Sequence, residues 1–177
     1  MKTALMVIDV QPVWMKAYDF WTIDGDDLVA KCATLIERAR AADLPVVYVE
    51  HVDKGDMEEN TPAEDIATDA ALAPQPGDPV IGKRFGSGFL QTDLDRVLNA
   101  QGIERFVACG LSAYGCVEAT VLYGKLYGYE VVVAGNAVAG NQSEAFPASE
   151  GIPIFLDAWK KAGIEILDPT DDPFASS

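Results

Sequence analysis

Six apolar, β-branched runs recur along the chain, at 4–10 (ALMVIDV), 45–51 (PVVYVEH), 79–83 (PVIGK), 105–111 (RFVACGL), 129–135 (YEVVVAG) and 164–167 (IEIL). Their apolarity is continuous rather than alternating, as expected of strands covered on both faces. Helical periodicity fills the gaps. Asp26 and Asp27 suit a helix N-terminus, and Leu28, Cys32, Leu35, Ile36 and Ala39 then share one face. Leu90, Leu94, Val97 and Leu98 repeat that pattern, and Ala119, Leu122 and Leu126 predict another helix closed by Gly128. Between His51 and Val80 runs an acidic stretch too long for an ordinary connection. Its Thr61-Pro62-Ala63-Glu64 reads as a capping box, which predicts a short helix near 62–72.

Strand and helix therefore alternate, which predicts an α/β fold: a three-layer α/β/α arrangement with a mostly parallel six-stranded sheet and helices on both faces. At 177 residues, 49% hydrophobic, the chain suits one domain over 1–177. A net charge of −15 disfavours binding to nucleic acid or to an anionic membrane surface. No apolar run is long enough for a bilayer, and the opening MKTALMVIDVQ lacks a signal-peptide pattern, so a cytoplasmic location is expected. Three cysteines and one histidine, without a Cys-x-x-Cys pair, form neither a disulfide framework nor a four-ligand zinc site.

Ligands of open parallel sheets sit beyond the carboxyl ends of the strands, which directs attention to Asp9, His51, Lys83 and the turn after Gly110. Read singly, each has an ordinary role: Asp9 capping a turn, Lys83 solvated, a cysteine inert in the core. Cys32 and Cys109 fit that last reading. Cys116 differs, because it follows a strand and opens a helix, where the dipole favours a thiolate. A nucleophilic thiol needs a proton acceptor, a counter-charge and oxyanion donors. Asp9, Lys83 and the backbone of the 112–116 turn supply them more economically than a Cys116–His51 pair.

At these residues the chain resembles the isochorismatase-like cysteine hydrolases, a family that includes nicotinamidases and N-carbamoylsarcosine amidohydrolases. The resemblance rests on ALMVIDVQ, PVVYVEH, K-R-F-G-S-G-F-x-x-T-D-L around Lys83, and ACGLSAYGCVEAT followed by GYEVVV. It implies Asp9 as general base, Lys83 as catalytic lysine and Cys116 as nucleophile. It also implies a cis peptide at Leu111-Ser112 and an oxyanion hole from the amides of Ser112 and Cys116. Trp14 matches a position where the family often has an aromatic, and Tyr114, inside the catalytic turn, is a second candidate for substrate contact. Tyr18, Phe20 and Trp21 suit either the pocket or a subunit contact.

The chain also departs from the family pattern. Nicotinamidases hold a metal through an aspartate and histidines near the second strand, where this chain has Glu50, His51 and no further histidine. No metal and no cofactor are expected. Ala113 replaces a frequent threonine, and Asn136 a common aspartate. The presence of Cys116 favours hydrolysis of a small amide or ureide through a thioester. The alternatives are a vinyl-ether hydrolase using Asp9, and a non-enzymatic binding or redox-sensing module. A small-molecule amide substrate and a homo-oligomeric state, common in the family, complete these expectations.

Overall fold

The computed structural model describes residues 1–17, 25–140, 148–167, 171 and 174, with only the backbone of 148–150. Six parallel strands, β1 (Thr3–Ile8), β2 (Val46–His51), β3 (Val80–Lys83), β4 (Arg105–Leu111), β5 (Glu130–Ala139) and β6 (Glu165–Leu167), form one sheet in the order β3-β2-β1-β4-β5-β6. The helices are α1 (Pro12–Ala17), α2 (Gly25–Ala41), α3 (Ala63–Ile66), α4 (Leu94–Ala100), α5 (Glu118–Leu126) and α6 (Ala148–Lys161). Alternate residues of β1 feed two cores. Ala4, Met6 and Ile8 pack with Leu94, Leu98, Val121 and Trp159 on one face. Leu5 and Val7 pack with Leu28, Cys32, Leu35, Ile36 and Ala39 of α2 on the other. The central strands β1, β2 and β4 are thus buried on both sides, which is why their sequences are apolar almost throughout, whereas the edge strands β3 and β6 keep exposed positions.

Local details depart from the sequence expectations in four places. The helix expected near 62–72 is broken into α3 and a 3₁₀ turn at Ala70–Leu72. The capping box does not form: α3 starts one residue later, with Pro62 at its N-cap and no side-chain cap, and the Thr61 hydroxyl donates to the Glu58 carbonyl at 2.8 Å. Leu90 precedes α4 and is partly exposed, leaving Leu94 and Leu98 as the buried positions of that helix. In α5 the inward face is Thr120, Val121 and Gly124, whereas Leu126 is 81% exposed. Gly124 is inward because α5 lies so close to β4 that an added Cβ would stand 2.5 Å from the Phe106 ring.

Two backbone features shape the centre of the sheet beside a crevice at its carboxyl end. Gly110 pairs with Ile8 at a φ of +118°, and a Cβ there would meet the Ile8 carbonyl oxygen at 2.0 Å, so only glycine fits. Beside it the β4–β5 register jumps between Ala108 and Gly110, from a Val133 partner to Val138, and Asn136 sits within the jump. β5 thus carries extra residues opposite β4, and pairing resumes at Gly110–Val138 and Leu111–Ala139, just before the turn that carries Cys116.

Candidate active site

Four strand ends meet at this crevice. Asp9 follows β1 in the left-handed region (φ 50°), a conformation that aspartate tolerates better than most residues, and its amide donates to the Val49 carbonyl at 2.9 Å. His51 and Lys83 close β2 and β3 and are register partners. After β4 the Leu111–Ser112 peptide is cis, and Ala113–Val117 form a π-helical turn, in which the Val117 amide donates to the Ser112 carbonyl, before α5 begins. Cys116 thus sits in the turn ahead of the helix rather than in its first turn.

Lys83 is the hub. Its side chain is fully buried, and Nζ lies 2.7 Å from Asp9 Oδ2, 3.1 Å from Cys116 Sγ and 3.2 Å from His51 Nδ1. Because an ammonium can only donate, His51 Nδ1 must accept, which puts the ring proton on Nε2, 2.8 Å from Asp56 Oδ2. The buried Gln11 fixes this histidine from behind. Its amide exchanges two hydrogen bonds with the His51 backbone (3.0 and 2.9 Å), donates to the Ile66 carbonyl and accepts from Trp14 Nε1 at 3.2 Å. The Trp14 and His51 rings stand nearly perpendicular, at 86°, with centroids 5.4 Å apart.

Asp9, Trp14, His51, Asp56, Leu111, Ser112 and Cys116 line a cavity of about 340 Å³. The structure thus brings Asp9, Lys83 and Cys116 together and places Trp14 and Ser112 in the wall beside them. Tyr114 is not in that wall: its ring packs 4.7 Å from Phe155 and covers Gly140. Tyr18, Phe20 and Trp21 lie outside the described residues. His51, marked by its place at the end of β2, lines the wall, and Asp56 is a wall residue that the sequence did not put forward. The available signal was that β2 ends on the histidine, with an Asp-Lys-Gly-Asp turn immediately after Val52.

Burial dominates the electrostatics. It lifts the Asp9 carboxyl above the usual aspartate range, although Lys83, the Cys116 thiol and His51 pull it down. Burial, together with the negative charge of Asp9, pushes the Cys116 thiol up to about 12 despite the nearby ammonium. The resting group is therefore a thiol, not the thiolate expected from the helix dipole. Alkylation of Cys116 should accelerate continuously from pH 6 to pH 10, without a plateau, when followed by peptide mass mapping. A plateau near neutrality would mean that the thiolate is already formed at rest.

The donor set bears on metal binding. Glu50 Oε1 accepts from both the amide and the hydroxyl of Thr68 at 2.8 Å, and both ring nitrogens of His51 are engaged, so the second strand does not fit a nicotinamidase-type metal. Ligand atoms of Asp9, His51 and Cys116 do lie within 4.8 Å of one another. That set, however, already surrounds the Lys83 ammonium, which a metal would have to displace.

Residues 3–167 match the isochorismatase domain. The chain is 32% identical to a ureidoacrylate amidohydrolase from Methylobacterium radiotolerans, over 87% of this chain and 74% of that one. A cysteine hydrolase from Pseudomonas syringae pv. phaseolicola superposes with a TM-score of 0.84 at 27% identity, covering 93% of this chain and 87% of the other. An N-carbamoylsarcosine amidase from Thermoplasma acidophilum gives a TM-score of 0.77 at 26% identity, covering 98% and 99%.

Proposed function

Because this chain belongs to the isochorismatase family of hydrolases, we propose that it cleaves the C–N bond of a small amide or ureide through a thioester on Cys116. The observation that carries this reading is the contact of one buried ammonium, Lys83 Nζ, with both Asp9 Oδ2 and Cys116 Sγ. When the thiol proton moves to Asp9, the negative charge moves from one partner of that ammonium to the other, so the site's net charge is unchanged. Asp9 Oδ1 is buried and accepts no hydrogen bond among the described residues, which leaves an acceptor for that proton. A carboxylate of raised basicity is suited to take it. The relatives named as an amidohydrolase and an amidase support the same bond class.

In this mechanism the sulfur attacks the carbonyl carbon, and the amides of Ser112 and Cys116 hold the resulting oxyanion. As the tetrahedral species collapses, the C–N bond breaks and Asp9 returns its proton to the leaving nitrogen. A water then enters and gives its proton to Asp9 as its oxygen attacks the thioester carbon. The acid departs and the thiol recovers its proton from Asp9. Trp14 forms the wall beside the acyl group.

The direct test is acid trapping during turnover of a panel of small amides and ureides. Cys116 should carry the mass of the acyl fragment without the leaving amine. Turnover with no adduct on Cys116 under single-turnover conditions would overturn the thioester. The redox-sensing alternative finds little support in this site, because a thiol held as SH reacts slowly with peroxide.

A further inference from the structure

The charges around the cavity are one-sided. Its wall contains two carboxylates, Asp9 and Asp56, and no lysine or arginine. None of the undescribed stretches contains a lysine or arginine either. The one cation at the inner edge, Lys83, is already shared among Asp9, His51 and Cys116. Asp56 is different from Asp9: its side chain is 61% exposed, and one oxygen accepts from His51 while the other has no partner among the described residues. A neighbouring groove of about 340 Å³ shares Trp14 and Asp56 with the cavity and adds Glu58 and Asp65. Lys16, also in that groove, is paired with Asp65 at 2.7 Å. Lys54, two residues before Asp56, lines a different groove.

We propose that this site selects amides bearing an ammonium or other cationic nitrogen away from the scissile bond, with Asp56 as counter-ion and Trp14 as the aromatic wall, and that it rejects carboxylate-bearing ones. The proposal rests on the reading of Cys116 as the reacting centre and adds the class of substrate. A carboxylate entering here would meet no lysine or arginine in the cavity wall and would face Asp56. An ammonium would meet a carboxylate and an indole, two groups that attract cations by different means, charge and ring quadrupole.

The test uses the intact protein and reads the field at the sulfur without requiring hydrolysis. The rates at which a trimethylammonium-ethyl and a sulfonato-ethyl methanethiosulfonate modify Cys116 are each divided by the rate with a small neutral thiol. Cys32 and Cys109 are fully buried, and mass mapping assigns the label. At low ionic strength the corrected ratio should favour the cation by about tenfold or more, and added salt should reduce it. Asp56→Asn should bring the ratio most of the way to one, whereas Glu37→Gln, on the exposed side of α2, should leave it within about twofold, which separates the local carboxylate from the general acidity of the chain. A corrected ratio near one, an inverted ratio, or a ratio unmoved by Asp56→Asn would overturn the proposal. Amide trapping fails independently: no adduct from any amide with the cation preference intact would remove the hydrolase reading and keep the cation site.

Discussion

Cys116→Ala should retain the fold and lose amide hydrolysis by about a thousandfold or more in kcat, because the proposed thioester route loses the side chain that forms the covalent bond. The substitution removes one sulfur from a cavity wall, so the thermal midpoint should move by only a few degrees at most. Asp9 and Lys83 keep each other, and the amides of the 112–116 turn stay in place. Calorimetry and single-turnover kinetics on the same preparation check both halves. Activity within tenfold of the parent would transfer the reaction to Asp9 acting directly on substrate, as in an ether hydrolase.

Lys83→Met should have the largest effect on stability. Methionine fills much of the same volume but leaves Asp9, only 2% exposed, without its 2.7 Å partner. Breaking a buried pair from one side costs about 3–5 kcal/mol, roughly 10 °C in midpoint for a chain of this size. The sign of the pH dependence follows from Asp9. Its folded-state affinity for protons is already raised by burial, and loss of the ammonium raises it further. The folded variant therefore binds a proton that the unfolded chain has released. The penalty is small below the ordinary carboxylate range and grows as pH rises through the folded-state value, above which it is constant. Denaturant melts at pH 4 and pH 8 check this, with the deficit expected to be larger at pH 8. Asp9→Asn combined with Lys83→Met should restore most of the stability and none of the activity. A single variant as stable as the parent at pH 8 would show that the pair is not buried as described.

The two assays read different properties of the same three groups. A protein that tolerates Lys83→Met but fails with Cys116→Ala would have a nucleophile without a structural ion pair. The reverse would have an ion pair that merely holds strand ends together.

The strands and α2 could be read from the sequence because each depends on residues close together in the chain. The face Leu28, Cys32, Leu35, Ile36 and Ala39 is buried as its spacing predicts. The six apolar runs became six parallel strands within a few residues of their predicted ends. The main exception is β5, which continues past 135 to Ala139 through the register jump. The same locality explains the misreading of α5. Hydrophobicity pointed to leucines, but close approach to Phe106 required a glycine, and a glycine gives no apolar signal. At Thr61 the helix starts one residue past the predicted cap, and the hydroxyl donates to the Glu58 carbonyl instead.

The sequence by itself determined which chemistry was available: a carboxylate, an ammonium and a thiol, each at the end of an apolar run, in an order that resembles one family of hydrolases. Tertiary structure alone decided how those groups behave. Strand order made His51 and Lys83 neighbours and set Asp56 against the imidazole, and the ends of β1, β2 and β4 came together around one cavity. It also turned Tyr114 onto Phe155 and made Cys116 a resting thiol. The physical reason is that proton affinity and pairing depend on water excluded and charges approached across the fold. Those quantities are set by segments distant in sequence, which local periodicity does not encode.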